Sequence, residues 1–388
     1  MEKKKIAFII QHLTNGGAER TISNLTLALK DKCDITLIIF DGNSVTYPYA
    51  GKMIDLALPP VEGMGNKALN SIKRMIKVKK VRKKEHFDCV ISFMFGSNLV
   101  NVVTRCGEKV IISARNYMSS YGLTKKDIFR EKFIAKRATL EVALSKMVEH
   151  DLVYNFGIPS EKIQTIYNPC DVDRIEKMAS EECEYYFDEK VYYFVSAGRM
   201  VKQKGQWHLL KAFSQFHDKV PNSKLLLLGE GEIEDNLKKL CSDLNLKDSV
   251  VFLGFVDNPY KYIRRSSCFV LSSLFEGLGN VIIEAMACQV PVVSYDCLAG
   301  PRELIAPETS FDEKSETVSW NSCGILVPAP SMSMNFETDL EDCDKFLTKA
   351  MFDVYNNPLK AELCVQNSKA RIKQFTPEEI TKQWSNLF

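Results

Sequence analysis

Two glutamates stand on either side of a glycine turn in the segment FEGLGNVIIEAM. Glu276 precedes a turn that contains Gly277 and Gly279. Glu284 falls in the helix that follows, for which Asn280 is the predicted N-cap. The N–H groups at the start of such a helix favour an anion, and each carboxylate can accept hydrogen bonds from vicinal hydroxyls. The segment therefore predicts a site for a diphosphate that carries a sugar on one side and a ribose on the other.

Two basic residues, Arg199 and Lys204, follow another predicted strand end in the segment SAGRMVKQKG. An arginine offers a planar fork to phosphate oxygens, and a lysine offers a compact charge. Together they offset the charge of a diphosphate and stabilise it as a leaving group. This charge balance predicts a nucleotide-sugar donor, with neither a metal ion nor another cofactor.

Glycine-rich turns also follow other predicted strands, first in QHLTNGGAER with Gly16 and Gly17, and later in LLGEGE. Such turns present backbone N–H groups to phosphate. None of them completes the dinucleotide fingerprint, and the sequence has no Walker lysine motif. A glycine C-cap or a tight strand-to-helix turn explains each one equally well.

Short apolar runs without alternation recur along the chain and predict strands covered on both faces of a parallel sheet. Seven runs precede residue 180, from KIAFII to IQTIYN, and six follow it, from YYFVSAG to GILVP. The acidic interval 176–190 lacks a strand and is the predicted linker. We therefore predict an α/β fold with two doubly wound, Rossmann-like domains, 1–180 and 181–371, and a C-terminal helix near 372–388 that packs back on the first. Ligands are expected at the carboxyl ends of the strands, in a cleft between the domains.

The charge of the chain is unevenly distributed, which indicates two domains with different partners. Residues 1–180 carry 29 basic and 19 acidic residues, whereas residues 181–388 carry 22 and 30. Twelve scattered cysteines without a CxxC pair favour reduced thiols. The opening MEKKKIAFII predicts a first strand rather than a signal peptide, and no apolar stretch approaches the roughly 18 residues of a membrane span. These features predict a cytoplasmic protein.

The segment 66–84 carries nine basic residues and no acidic one. Its apolar residues recur at helical spacing, namely Leu69, Ile72, Met75 and Ile76. A basic amphipathic helix can lie on an anionic bilayer, whereas a helix with a solvated face is the alternative. Nucleic acid is not predicted as a partner because no aromatic residues are interleaved. We predict peripheral contact with the inner face of the plasma membrane, which suits a lipid-linked acceptor.

The chain contains NGGAER, SAGRMVKQKG and FEGLGNVIIEAMACQVPVV in this order, together with DLVYNFGIPSEKIQTIYNPCD and a closing QWSNLF. These segments resemble glycosyltransferase family 4. The resemblance covers essentially the whole chain and implies the GT-B fold and a retaining transfer by front-side attack without a covalent intermediate. It implies that Glu276 holds the donor sugar, that Glu284 holds the ribose, and that Arg199 and Lys204 hold the diphosphate. Further donor contacts are predicted at Gly16, Gly17, Gly277, Leu278, Gly279, Asn280 and Phe255.

The segment DCLAGPRELI resembles a subset of the family that uses UDP-linked hexoses and N-acetylhexosamines. Here Leu298 and Ala299 replace the more usual Pro-Ser or Pro-Thr, so the choice between these donors stays open. The acceptor is expected to be a hydroxyl of a lipid-linked or growing glycan. On the acceptor side, the family often carries a histidine at the position where SARNYMSS has Arg115 and Asn116. Either these two residues contact the acceptor or the sugar differently, or this segment does not align with the family's histidine segment. His12 is a further acceptor-side candidate, with a plain loop role as its alternative.

Other functions compete with a transferase. A glycosidase would use Glu276 and Glu284 as acid and nucleophile, although both flank a helix start that suits phosphate. A non-catalytic nucleotide-sugar-binding protein would keep the same fold. The triplets DVD at 171–173 and DCD at 342–344 imitate the metal-binding triplet of another glycosyltransferase fold. They lack its strand-end setting, so no metal site is predicted.

Overall fold

The structure is a computed structural model that describes residues 3–14, 16–43 and 45–388, except the side chain of Tyr121. Asn15, the first residue of the NGGAER motif, lies outside the described residues. The chain divides into two compact units. The first comprises the chain as far as Pro169 together with Pro377–Phe388, and the second is Cys170–Thr376.

The first unit is built on a seven-stranded parallel sheet. Its strands are β1 Lys4–Ile10, β2 Cys33–Ile39, β3 Lys52–Asp55, β4 Cys89–Phe93, β5 Lys109–Ala114, β6 Leu140–Ala143 and β7 Ile163–Thr165. Their order in the sheet is β3-β2-β1-β4-β5-β6-β7. Its helices are α1 Gly17–Leu29, α2 Met64–Glu85, α3 Phe95–Val103, α4 Lys125–Arg137 and α5 Lys146–Tyr154, with 3-10 helices at Met118–Tyr121 and Ser160–Lys162.

The second unit is built on another seven-stranded sheet. Its strands are β8 Tyr192–Ala197, β9 Ser223–Leu228, β10 Val250–Gly254, β11 Cys268–Leu271, β12 Val292–Tyr295, β13 Ser319–Asn321 and β14 Gly324–Val327. Their order is β10-β9-β8-β11-β12-β14-β13. Its helices are α6 Val172–Ala179, α7 Gln206–His217, α8 Glu234–Asp243, α9 Tyr260–Arg265, α10 Asn280–Ala287, α11 Pro301–Ile305, α12 Asp342–Asn356 and α13 Pro358–Ile372, with 3-10 helices at Lys202–Lys204 and Lys373–Phe375.

The predicted fold class is confirmed, since both units are Rossmann-like α/β structures. Every apolar run that predicted a strand contains one. Strand β13 was missed because it has only three half-buried residues, and it pairs antiparallel with β14 at the sheet edge. A strand so short and so incompletely covered has no continuous apolar run in the sequence.

The acidic segment after residue 176 belongs to the second unit in the structure. Basic side chains of α9 hold it, because Lys261 pairs with Glu184 at 2.6 Å and Arg265 donates to the carbonyl of Glu181 at 2.8 Å. The chain passes from one unit to the other after Pro169 and again after Thr376.

The last helix, α14 Pro377–Ser385, packs in the first unit. Its Trp384 is buried and stacks on Phe93 of β4, with ring centroids 5.6 Å apart. No helix among the described residues is long and apolar enough to cross a membrane.

A pair of acidic side chains is buried inside the first unit. Glu131 of α4 and Glu141 of β6 are both almost fully buried, and neither carboxylate oxygen of Glu141 has a described hydrogen-bond partner. Burial raises the pKa of Glu131 to about 7. Burial and the charge of Glu131 raise the pKa of Glu141 as well. The ionised pair is therefore unfavourable in the folded chain.

The free energy of unfolding is expected to fall as the pH rises through this pair. A glutamate in the unfolded chain has a pKa of about 4.3, so between pH 4.3 and 7 the folded state binds more protons than the unfolded state. Glu141→Gln removes one of the two charges. Denaturant titrations between pH 5 and 8 should show that this variant gains stability over the wild type as the pH rises. Glu161→Gln, at an exposed position of the same unit, is the control, and a pH-independent difference for Glu141→Gln would contradict the assignment.

Candidate functional site

The predicted donor residues follow two strands that are neighbours in the second sheet. Strand β8 pairs with β9 on one side and with β11 on the other. The strand order therefore reverses between β8 and β11, and a crevice at the carboxyl ends of the strands is expected at such a switch point. Residues 198–205 follow β8, and residues 272–279 follow β11. The topology brings together two loops that are about seventy residues apart in the sequence.

Hydrogen bonds from side chains to backbone carbonyls join these two loops. The Ser272 hydroxyl donates to the carbonyl of Lys204 at 2.9 Å, and the Gln203 side-chain amide donates to the carbonyl of Phe275 at 2.9 Å. Gly205 has a positive φ of 57°, and a Cβ atom there would overlap the carbonyl oxygen of Ser272. The close approach of the two loops therefore requires a glycine at this position.

Glu276 and Lys204 form a largely buried ion pair. Lys204 Nζ lies 2.6 Å from Glu276 Oε1, and the two side chains are 18% and 9% exposed. The Ser273 hydroxyl donates to the same oxygen at 2.6 Å. The sequence predicted both charged residues at the site but not their contact, and it suggested no role for Ser273. Both described hydrogen bonds of this carboxylate end on Oε1, and none ends on Oε2.

Helix α10 begins beside this pair and carries the second glutamate. Gly279, not Asn280, is its N-cap, so the predicted cap was wrong by one position. Gly279 has a φ of 81°, a left-handed conformation that glycine adopts without a Cβ penalty, and among the described residues no side chain caps the helix. Glu284 lies at the fifth residue of α10, where its Oε1 accepts a hydrogen bond of 3.4 Å from the hydroxyl of Tyr260. Tyr260 of α9 was not singled out from the sequence.

Two other predicted donor residues are exposed at the same edge of the sheet. Arg199 follows β8, and its guanidinium makes no hydrogen bond or ion pair to any described residue. Phe255 follows β10, its side chain is exposed, and its backbone N–H donates to Glu230 at 3.1 Å. Both side chains are exposed, whereas Glu276 is 8% exposed.

The loop after β12 packs against the turn of residues 276–279. The backbone N–H of Glu276 donates to the carbonyl of Leu298 at 3.0 Å. Gly300 has a φ of 100°, and a Cβ atom there would overlap the carbonyl of Leu278. Arg302 and Asp296 form a buried ion pair that ties the two ends of this loop together. The DCLAGPRE segment therefore supports the turn that carries Glu276.

The first glycine loop lies in the first unit, where α1 begins. Gly16 is the N-cap of α1, and no side chain of the described residues caps that helix. The Glu19 carboxylate lies where a Cβ atom of Gly16 would be, and it pairs with His12 at 3.4 Å. The helix start therefore has an acidic side chain of its own close by, and His12 also bonds Thr14 at 2.9 Å.

Arg115 lies in the interior of the first unit rather than on its surface. Its guanidinium donates to Thr21 at 3.1 Å, to Ser113 at 3.3 Å and to the side chain of Asn168. Burial lowers the pKa of Arg115, and the charge of Glu19 opposes this effect. These contacts connect β5, α1 and the segment after β7, so Arg115 links three parts of the first unit. Asn116, by contrast, is exposed.

One cluster in the second unit has the residue types of a metal site. His208 of α7 lies beside Cys343 and Asp344, the end of the DCD triplet at 342–344. His208 Nδ1 is only 2.6 Å from Asp344 Oδ1, a hydrogen bond inside the core that joins α7 to α12. Burial alone would lower the pKa of His208, but hydrogen bonds to Asp344 and Cys343 raise it to about 9. A charge-assisted hydrogen bond between the two helices accounts for this cluster.

Two family models match this chain. The model described as Glycosyltransferase Family 4 matches residues 15–174, and the model described as Glycosyl transferases group 1 matches residues 181–330. A Campylobacter jejuni protein named N-acetylgalactosamine-N,N'-diacetylbacillosaminyl-diphospho-undecaprenol 4-alpha-N-acetylgalactosaminyltransferase is 31% identical, and the alignment covers 98% of each chain. The chain belongs to glycosyltransferase family 4. An uncharacterized glycosyltransferase of Methanocaldococcus jannaschii is also 31% identical over 81% of this chain and 82% of the relative.

The fold of this glycosyltransferase is also found among solved structures. The crystal structure of Anabaena HepE in complex with UDP matches with a TM-score of 0.75 and covers 98% of both chains. Sequence identity is 19%, so this similarity concerns the fold alone. The predicted GT-B fold class and the predicted family are thus both confirmed.

Proposed function

We propose that this glycosyltransferase moves a hexosyl or N-acetylhexosaminyl group from a UDP-sugar to a hydroxyl of a lipid-linked or growing glycan. The observation that carries the proposal is the buried Lys204–Glu276 pair at the switch point of the second sheet, next to the uncapped start of α10. This arrangement offers a cation and helix N–H groups to a diphosphate, and a carboxylate to the sugar attached to it.

The two basic residues have different tasks in this proposal. Arg199 is exposed and uses its planar guanidinium to bind diphosphate oxygens. Lys204 pairs with Glu276 in the structure, and in the reaction it turns toward the diphosphate and stabilises the charge that develops on the departing UDP. Because two cations and a helix start balance the diphosphate, the proposed reaction needs no metal ion.

The donor is proposed to lie along the edge formed by β10, β9, β8 and β11. Glu284 binds the ribose hydroxyls, and Glu276 binds the hydroxyls of the sugar through Oε2. Phe255, exposed after β10, offers an aromatic face to the uracil ring. The remaining contacts come from the backbone of Gly277, Leu278, Gly279 and Asn280.

The proposed transfer retains the configuration of the anomeric carbon. Glu276 is held by Lys204 and Ser273, so we do not assign it the part of a covalent nucleophile. The acceptor hydroxyl attacks from the face that UDP leaves, and the departing phosphate oxygen takes its proton. The bond between the sugar and the phosphate breaks as the new glycosidic bond forms.

The acceptor is proposed to be a glycan on a lipid diphosphate. The Campylobacter relative is named for transfer of N-acetylgalactosamine to a diphospho-undecaprenol-linked glycan, and this favours an N-acetylhexosamine as the first donor to test. Residues of the first unit supply the proposed acceptor side, namely His12 and Asn116, and the glycine loop of Gly16 and Gly17 contacts the donor phosphate or the acceptor. Arg115 supports them from the interior.

A donor panel tests the proposed function. The chain is incubated with each of four UDP-sugars, the glucose, galactose, N-acetylglucosamine and N-acetylgalactosamine forms, with a short diphospholipid-linked glycan and EDTA. We expect UDP release with one of them and a product whose new linkage is α by NMR. A β linkage would contradict retention, activity that requires a divalent ion would contradict metal independence, and hydrolysis of a nucleotide-free glycoside would favour the glycosidase alternative.

We further propose that α2 places this enzyme on an anionic membrane surface. Leu69, Ile72 and Ile76 are exposed on this helix, whereas Met75 packs against the core. Exposed lysines accompany the apolar stripe, but Arg82 is buried and pairs with Glu108. Eight of the nine basic residues therefore lie outside the core, although Arg74 donates to the carbonyl of Leu58 and Lys77 to that of Leu56.

Helix α4 extends the same side of the first unit. Helices α2, α3 and α4 pack side by side along the sheet. Phe129 is exposed on α4, together with Lys125, Lys126 and Lys136. A basic surface with exposed apolar side chains suits the boundary between lipid headgroups and acyl chains.

Removal of charge from α2 is expected to release the enzyme from anionic vesicles. The variant carries glutamine at Lys73, Lys79, Lys80 and Lys84, all exposed. Each lysine contributes about 1 kcal/mol at an anionic surface, so sedimentation with vesicles that contain phosphatidylglycerol should weaken at least a hundredfold while UDP affinity is retained. The control places glutamine at four exposed lysines of the second unit, Lys219, Lys239, Lys247 and Lys349. Equal, salt-insensitive sedimentation of both variants would contradict the proposed surface.

A further inference from the structure

The Glu276 carboxylate receives two hydrogen bonds on one of its oxygens. Lys204 Nζ and the Ser273 hydroxyl each lie 2.6 Å from Oε1. No described hydrogen bond ends on Oε2. Ser273 is fully buried, and Glu276 is 8% exposed. The two donors thus fix the orientation of the carboxylate and leave its second oxygen for a ligand.

The two donors differ in what else they are expected to bind. Lys204 is the cation that the diphosphate attracts, so its contact with Glu276 competes with the phosphate oxygens. Ser273 lies three residues before Glu276 on the same loop and is fully buried, so its hydroxyl is not accessible to a ligand. A short hydrogen bond from a hydroxyl to a carboxylate is among the stronger hydrogen bonds of proteins.

We propose that Ser273 is a positioning residue that keeps the Glu276 carboxylate directed at the donor sugar while Lys204 is drawn toward the diphosphate. This inference rests on the proposed role of Glu276 in binding that sugar. Without the hydroxyl, a carboxylate freed from Lys204 would rotate about its side-chain bonds, and Oε2 would lose its fixed position. The loss would affect the sugar and leave the uridine portion of the donor unaffected.

A buried serine in a strand of the second unit provides the comparison. Ser294 of β12 is fully buried and donates to the backbone carbonyl of Tyr295 at 2.8 Å. The hydroxyl of Ser294 donates to a neighbouring backbone carbonyl, and none of its described hydrogen bonds involves a charged side chain. Ser294→Ala therefore reports the cost of deleting a buried hydroxyl in this sheet without a change at Glu276.

The test measures how much tighter the best UDP-sugar binds than UDP itself, by calorimetry without acceptor. Ser273→Ala is expected to reduce this ratio about tenfold and to lower kcat by a similar factor, with UDP affinity within twofold of the wild type. Ser294→Ala should change neither quantity. In the Glu276→Gln background, Ser273→Ala should have no further effect on the ratio, because the partner it positions is absent.

Three results separate this inference from the proposed function. An unchanged ratio and kcat in Ser273→Ala overturn the inference, as does an equal loss of affinity for UDP and for the UDP-sugar. A Glu276→Gln variant that keeps the full ratio overturns the sugar-binding role of Glu276 itself.

If Ser273→Ala does not fold, Ser273→Cys keeps the size of the side chain with a weaker donor. It should then show a smaller loss of the same ratio, and a wild-type ratio would overturn the inference.

Discussion

Glu276→Gln is expected to leave the affinity for UDP nearly unchanged and to remove the additional affinity that the sugar of a UDP-sugar provides. Glu284→Gln is expected to weaken the binding of UDP itself. The physical reason is the position of each carboxylate relative to the proposed donor. Glu284 lies on α10 beside Tyr260, where we place the ribose, and Glu276 lies before the helix at the sugar end. UDP contains the ribose but not the sugar.

The expected effect is large enough to measure directly. A hydrogen bond to a charged group contributes about 1.5 to 3 kcal/mol, which corresponds to roughly a ten- to hundredfold change in affinity. Calorimetric titration of both variants with UDP and with the best UDP-sugar gives the four dissociation constants. Turnover of Glu276→Gln should also fall, because the reacting sugar loses its fixed position.

Glu362→Gln on the exposed side of α13 is the control for the loss of a negative charge from the second unit. The division of tasks is refuted if both variants lose UDP affinity equally. If neither variant changes UDP binding and both abolish hydrolysis of a simple glycoside, the two carboxylates act as the acid and nucleophile of a glycosidase.

Arg199→Ala and Lys204→Ala are both expected to lower turnover strongly, but only Lys204→Ala should destabilise the second unit. Arg199 is exposed and unpaired among the described residues, so its removal affects ligand binding alone. Lys204 neutralises Glu276 in a largely buried pair. Its removal leaves that carboxylate without its cation, at a cost of about 3 kcal/mol.

Turnover should fall by roughly a hundred- to thousandfold in each variant, since each removes one charge that stabilises the leaving diphosphate. Steady-state kinetics with the best donor and chemical denaturation of the same samples provide the two readouts. Lys202→Ala is the matched control, because Lys202 is an exposed lysine in the same 3-10 helix as Lys204. Unchanged UDP affinity and turnover in Arg199→Ala would show that Arg199 is not part of the donor site.

The double variant Lys204→Ala and Glu276→Gln checks the cause of the instability. If an uncompensated buried charge is responsible, replacement of the carboxylate should restore part of the lost stability. An additive loss would instead show that Lys204 stabilises the unit through its packing. In either case the double variant should remain inactive.

Several features of the site follow from local sequence alone. The apolar runs of β8 and β11 predict buried strands, and the glycines after them predict turns that expose backbone to a ligand. Glu276 was identified beside a glycine turn that precedes a helix start, and Arg199 and Lys204 were identified as cations that follow a predicted strand end and suit a diphosphate. Local patterns contain this information because strand burial and turn chemistry depend on neighbouring residues.

Other features depend on residues that are distant in the sequence. Arg82 and Arg115 look like surface charges in a basic half of the chain, yet both are buried and bonded to residues of other elements. The N-cap of α10 is Gly279 because a left-handed turn leads directly into the helix, although Asn280 is the better cap by residue type. Residue type predicts which interactions a side chain can make, whereas the residues that surround it in the folded chain determine which of them it makes.

The sequence by itself determined the α/β class, the residues of the glycine turns and the charged side chains that follow β8 and β11. Only the tertiary structure decided that β8 lies beside β11, because strand pairing between distant segments is set by the packing of the whole sheet. That pairing brings Lys204 and Ser273 onto one oxygen of Glu276. It also determines which charges are buried together, since burial depends on every element that covers a side chain and not on the residues next to it in the chain.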